Sequence, residues 1–139
     1  MSNDKTIFTR IIEGELPCHK LYEDEHVIAI LDIQPLTRGH TLVVPKEPAP
    51  SMDQLSTEAA SALGSSLPGL CRAVMDATGA TAYNLIQNNG HEAGMSIAHV
   101  HIHIIPRYPE STHSFLWEYG EIDHADASEL AKSISAALQ

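Results

Sequence analysis

The chain has 139 residues, 43% hydrophobic and 19% charged, the proportions of a single soluble globular domain able to bury a proper core. Its 18 acidic residues against eight Lys and Arg give a formal net charge of -10, which argues against a nucleic-acid or anionic-membrane surface, since either needs a basic patch. The two cysteines, Cys18 and Cys71, indicate no disulfide framework, Met1–Lys5 has no charged-then-apolar leader pattern, and no run approaches the ~18 apolar residues of a membrane span, so a soluble cytoplasmic protein is expected.

Ile7, Phe8, Ile11 and Ile12 recur at helical spacing and predict a short helix, ended by Gly14 and Pro17. Lys20–Glu23 reads as a strand, followed by a turn at Asp24 and Glu25. Val27–Leu31 is an apolar run suited to a buried strand leading into Asp32. Pro35 and Gly39 punctuate a loop before the β-rich segment His40–Val44, stopped by Pro45. From Thr57 to about Ala77 the stripe Leu63, Leu67, Leu70, Ala73 and Val74 predicts a helix capped by Ser56, which Pro68-Gly69 should kink or split. Thr81–Gln87 is a further strand, and Asn88–Gly94 a turn-rich loop.

His99–Ile105 is expected to be a strand, ended by Pro106. Phe115, Trp117 and Tyr119 follow in an irregular stretch. Leu130, Ile134 and Leu138 at i, i+4, i+8 then predict a C-terminal helix from Asp126 to Leu138. Without strict βαβ alternation, the order favours an α+β fold with an antiparallel sheet, in one domain over residues 1–139.

His99, His101 and His103 alternate with Val100, Ile102 and Ile104. In a strand, that spacing puts three imidazoles on one face and the β-branched residues on the other. Three readings follow. The imidazoles could merely fill a half-exposed face. They could bind a metal, although the first and third lie ~13 Å apart along a straight strand and a site would need outside ligands. Or one could attack phosphorus as a nucleophile while its neighbours orient it and hydrogen-bond the phosphoryl oxygens. The acidic net charge does not forbid such a ligand, because backbone N–H groups, hydroxyls and imidazoles can hold one phosphate locally.

The segment His99–Ile105 resembles the histidine-triad signature, His-x-His-x-His followed by apolar residues, of the HIT nucleotide hydrolases and transferases. The likeness extends through Ile7-Phe8, Ile11-Ile12, Gly14–Pro17, Tyr22–Asp24, Asp32-Ile33, Pro35, Gly39-His40 and Val44–Lys46, so it covers residues 6–107. It is nearest to the Hint-like and bacterial HIT branch. The resemblance implies a five-stranded antiparallel sheet with helices, paired with a second copy into a ten-stranded sheet in a homodimer, and a C-terminal extension over 108–139.

It also implies roles. His101 would attack the α-phosphorus of a nucleoside phosphoramidate or dinucleoside polyphosphate, and water would then release the nucleoside monophosphate. His99 and His103 would position that nucleophile and bind phosphoryl oxygens or assist the leaving group. Ser96 would contact phosphate, Asn88 would help hold it, and His40 would be a further active-site histidine. Asp32 would bond the ribose hydroxyls of a purine nucleotide, with Ile7, Phe8, Ile11, Ile30 and Ile33 walling the base. Each has a plainer reading: the apolar residues as core, Asp32 as a strand-end turn residue, Asn88 as part of its Asn-Gly turn.

The chain departs from the resemblance in two places. Some bacterial relatives hold a structural zinc with two cysteines in the first helix, a distant histidine and the first triad histidine. Here Thr6, Thr9 and Pro48 stand at the outside positions, so no metal and no cofactor are expected, and His99 is left free for the active site. After the triad, Ile105-Pro106-Arg107 replaces the Gly-Gly of the Hint branch and leaves the leaving-group preference open. A nucleotide-binding regulatory protein with incidental turnover is the alternative from another functional class.

Overall fold

A computed structural model of the protein describes residues 5–110 and 118–138. Phe115 and Trp117 lie outside the described residues. The elements are α1 (Ile7–Ile12), β1 (Lys20–Glu23), β2 (Val27–Leu31), β3 (Thr41–Pro45), a 3-10 turn at Met52–Gln54, α2 (Thr57–Thr78), β4 (Ala82–Ile86), a second 3-10 turn at His91–Ala93, β5 (Ile102–Arg107) and α3 (His124–Ala137). The five strands form one sheet in the order β1-β2-β3-β5-β4 with every pairing antiparallel.

Period-2 alternation divides the sheet's side chains between two cores. Val27, Ala29, Val43, Ile102 and Ile104 pack with Leu63, Leu70, Cys71 and Val74 of α2. On the opposite face Ile28, Ile30, Leu42 and Val44 pack with Phe8 of α1. Val100, Ile102 and Ile104 therefore anchor the histidine segment in the α2-side core, as expected. The strand β5 sits between β3 and β4, with His103 opposite Leu42 on one side and Ile86 on the other. Since Leu42 belongs to the α1-side face, the register turns His103 toward α1.

Three sequence expectations change. The histidine strand starts at Ile102, so only His103 lies in it; His99 and His101 precede it, in a segment held by the Val100 N–H donating to the Ala49 carbonyl at 2.9 Å. The strand also runs through Pro106 to Arg107, because its pairing with β3 ends at Ile104: on that side the Pro106 carbonyl meets the Thr37 hydroxyl at 2.7 Å, and the missing N–H takes no bond from the ladder. Likewise α2 is one helix of 22 residues with Pro68 inside it. The carbonyl orphaned by the missing N–H belongs to Gly64, and both residues are exposed, so water replaces the lost bond and the helix continues.

The caps follow the sequence. Thr6 accepts the Thr9 N–H at 3.2 Å, Ser56 accepts the Ala59 N–H, and Asp123 accepts from Ala125 and Asp126. Among the described residues no helix is long and apolar enough to cross a membrane.

Candidate active site

A cavity of about 510 Å³ opens on the α1 side of the sheet. Ile7, Phe8 and Ile11 reach it from α1, Ile30 from β2, and Asp32 and Ile33 from the loop that follows, so all the residues expected to hold a nucleoside share one wall. Ser96, His101 and His103 line it as well. Apolar flanks with a few convergent polar groups are the usual make-up of a small-molecule site.

His40, His99 and Asn88 are not on that lining. His40 stands behind His103, with its Nε2 at 2.9 Å from His103 Nδ1 and 3.5 Å from Asp32 Oδ2. His99, 1% exposed, faces Thr6, Thr9 and the Pro45 carbonyl, so the expectation that its ring is free for the cavity gives way to a ring occupied on both nitrogens. Asn88 is half-buried in the loop after β4, where its carbonyl accepts from Gln87.

Backbone groups decide which ring nitrogens carry protons. A neutral imidazole has one donor and one acceptor nitrogen, and a carbonyl or an amide N–H has only one role to offer. The Leu36 N–H donates to His40 Nδ1 at 3.0 Å, so the His40 proton is on Nε2 and donates to His103 Nδ1. His103 then carries its own proton on Nε2. The His99 carbonyl accepts from His101 Nδ1–H at 2.7 Å, which leaves His101 Nε2 as a bare lone pair. The Pro45 carbonyl accepts from His99 Nε2–H at 2.9 Å, leaving His99 Nδ1 to accept from threonine hydroxyls.

The two rings on the cavity wall, His101 and His103, thus have opposite tautomers with centroids 4.9 Å apart. One offers an electron pair and the other a proton. Phe8 packs at 4.8 Å from the His101 ring and 5.9 Å from His99, restricting both.

Burial keeps the supporting rings neutral. Desolvation pushes His103 down to about 4, helped by the neighbouring His101 and His40 and opposed by Asp32. His40 is lowered by burial first and by Arg107, against the pull of Asp32. His99 is lowered by burial and by His101, against the Pro45 hydrogen bond.

Asp32, His40 and His103 place three ligand-type atoms within 4.8 Å of one another, the one such group among the described residues. As a metal site it is poorly made. An ion would need lone pairs on both His40 Nε2 and His103 Nδ1, yet the Leu36 N–H holds the His40 proton on Nε2. The trio hands a proton forward rather than a pair of electrons inward. Asp32 also accepts from the Gln34 N–H through Oδ1 at 2.8 Å, which fixes its carboxylate at the cavity edge.

A model of the HIT domain family matches residues 13–110. The chain belongs to the HIT family. It is 45% identical over 107 residues to an adenylylsulfatase of Arabidopsis thaliana, an alignment covering 77% of this chain and 54% of that one, so the chain spans about half that relative's length. To an adenosine 5'-monophosphoramidase of Schizosaccharomyces pombe it is 46% identical over 101 residues, covering 73% of each. The crystal structure of a HIT family protein from Bacillus anthracis superimposes with a TM-score of 0.92 at 37% identity, covering 99% of this chain and 100% of that one.

Within this HIT domain the cavity also takes in Leu16, Pro17, Cys18, Gln34, Leu42 and Ile97, to which the sequence reading gave no binding role. Leu42 had a usable signal, since period 2 along β3 sets it opposite to Val43. Cys18 and Ile97 had none, because loops bring them in. The hydroxyls of Thr6 and Thr9 were read only as missing metal ligands.

Proposed function

We propose that this HIT protein is a nucleotide hydrolase that cleaves at the α-phosphate of nucleoside phosphoramidates or dinucleoside polyphosphates through a nucleotidyl intermediate on His101. The observation that carries this reading is the pair of opposed tautomers on one cavity wall. His101 Nε2 supplies the electron pair that attacks phosphorus, and the leaving group departs with the electrons of its bond, a polyphosphate as its anion and an amine with a proton taken from solvent. Nδ1 keeps its proton throughout, so the adduct is a cationic imidazolium whose N–H points at the His99 carbonyl. His103 Nε2–H meets the phosphoryl oxygens or the charge developing on the leaving group, and Ser96 adds a hydroxyl at the same wall. Water then attacks the phosphorus and releases a proton to solvent, the P–N bond breaks with its electrons returning to His101 Nε2, and the nucleoside monophosphate leaves.

A purine fits the flat apolar wall of Ile7, Phe8, Ile11, Ile30 and Ile33, and Asp32 is the acceptor for the ribose diol. His40 acts through His103. The names of the relatives, an adenylylsulfatase and an adenosine 5'-monophosphoramidase, support adenosine as the nucleoside.

In this reading residues 1–139 form one domain of a cytoplasmic homodimer. β4 is an edge of the sheet with Tyr83 and Leu85 exposed, the surface through which two five-stranded sheets would join into ten. Incubation with adenosine phosphoramidate tests the reaction. Wild type releases the monophosphate, and His101→Ala lowers kcat at least about a thousandfold; undiminished turnover in that variant would remove the mechanism.

A further inference from the structure

We propose that Thr6 and Thr9 are positioning residues for the nucleophile: their hydroxyls hold the buried His99 ring, and through it the carbonyl that sets the tautomer of His101. The proposal rests on His101 being the nucleophile and adds how its geometry is kept.

The chain of contacts runs from α1 to the reacting nitrogen. Thr6 Oγ1 and Thr9 Oγ1 lie 3.3 and 3.5 Å from His99 Nδ1 and 3.4 Å from each other. The other His99 nitrogen already donates to the Pro45 carbonyl at 2.9 Å. Its Nδ1 must therefore accept, and in a ring 1% exposed no water competes for it. The threonine hydroxyls are the donors within reach. With both nitrogens tied, the ring cannot flip, and the His99 backbone stays where its carbonyl meets His101 Nδ1–H at 2.7 Å.

Thr6 has a second duty. Its hydroxyl oxygen accepts the Thr9 N–H and caps α1, the helix that carries Ile7, Phe8 and Ile11 into the cavity. One hydroxyl pair thus registers the apolar wall against the nucleophile. A displacement of about 1 Å at a reacting atom costs on the order of a hundredfold in rate, whereas losing the α1 cap costs about 1 kcal/mol of helix stability and leaves the apolar side chains of the wall unchanged. The consequence is a selective loss of kcat.

The test compares Thr6→Val/Thr9→Val with Thr6→Ser/Thr9→Ser, using adenosine phosphoramidate as substrate and the imidazole nitrogen resonances as a second readout. The valine pair is expected to lose roughly ten- to a hundredfold in kcat, with KM within about fivefold, the change that the lost α1 cap allows. Its His99 Nδ1 and His101 ring resonances should move together, and the serine pair should restore most of both. If the valine pair does not fold, Thr6→Gly/Thr9→Val, which removes both hydroxyls while glycine still serves as an N-cap, decides by the same resonances. A shift at His99 with wild-type kcat and unmoved His101 resonances would overturn the proposal. A wild-type protein without turnover, but with His101 resonances that follow the threonines, would refute the hydrolase reading and leave the positioning role standing.

Discussion

His101 and His103 differ in what they offer because different backbone groups face their rings. The His99 carbonyl draws the His101 proton to Nδ1, while the Leu36 N–H, acting through His40, puts the His103 proton on Nε2. Removing His40 tests this directly. His40→Ala leaves His103 Nδ1 without its donor, lets the ring sample both tautomers, and should lower kcat about tenfold or more while KM stays within a few-fold. Asp32→Ala removes the proposed diol acceptor, and hydrogen bonds to a charged group are worth about 1.5–3 kcal/mol. Titration with adenosine monophosphate should show affinity weakened roughly ten- to a hundredfold, with the fold unchanged. Equal affinity in that variant would take Asp32 out of the binding site.

At the scale of elements, the loop that delivers His40 depends on Gly39. Its φ is +91°, and a Cβ there would lie 2.6 Å from Thr78 Cγ2 at the end of α2. Gly39→Ala should therefore destabilise by about 1–3 kcal/mol in urea unfolding. Thr78→Ser in the same chain removes the clashing methyl and should recover the steric part but not the backbone part. Most elements were readable from apolar spacing: α1, β2 and the Leu63–Leu70–Val74 stripe of α2 are all where the periodicity puts them. Two were misread for local reasons. Alternation in His99–Ile105 resembled a strand throughout, yet ladder partners exist only from Ile102 onward. Pro68-Gly69 predicts a kink or a split, but the hydrogen bond lost at Pro68 falls on the carbonyl of exposed Gly64 and the helix continues. α3 was predicted from Leu130, Ile134 and Leu138, and in the chain alone these residues are exposed.

Across the whole molecule, which side chains gather at the cavity is legible from residue type and spacing, and the backbone contacts that hold them are not. Asp32, His101, His103, Ser96, Ile7, Phe8, Ile11, Ile30 and Ile33 line one cavity, and His40, His99 and Asn88 do not. The assignment of protons within the histidine cluster depends on Leu36, Pro45 and the His99 carbonyl, whose identities as partners arise from non-local folding. That cluster also gives the fold a pH dependence. His40, His99 and His103 are lowered from their ordinary 6.5, His103 to about 4. Below about pH 6.5 the unfolded chain binds protons that the native rings refuse, so the stabilisation present above that pH is lost as pH falls toward 4. Each such ring contributes a slope of up to about 1.4 kcal/mol per pH unit. Urea unfolding between pH 7.5 and about 4.5 should show this decline, with a shallower slope in His99→Gln. A stability independent of pH across that window would contradict neutral, buried imidazoles.

The central claim is a covalent bond between His101 Nε2 and phosphorus. Rapid mixing with adenosine phosphoramidate, a quench at alkaline pH where phosphorylated imidazoles survive, and peptide mass spectrometry read that bond directly. One adenylyl group is expected on the peptide containing residues 99–103, localised to His101, appearing before product and absent from His101→Ala. Steady release of adenosine monophosphate with no adduct at any time, or an adduct on His99 or His103 instead, would contradict it.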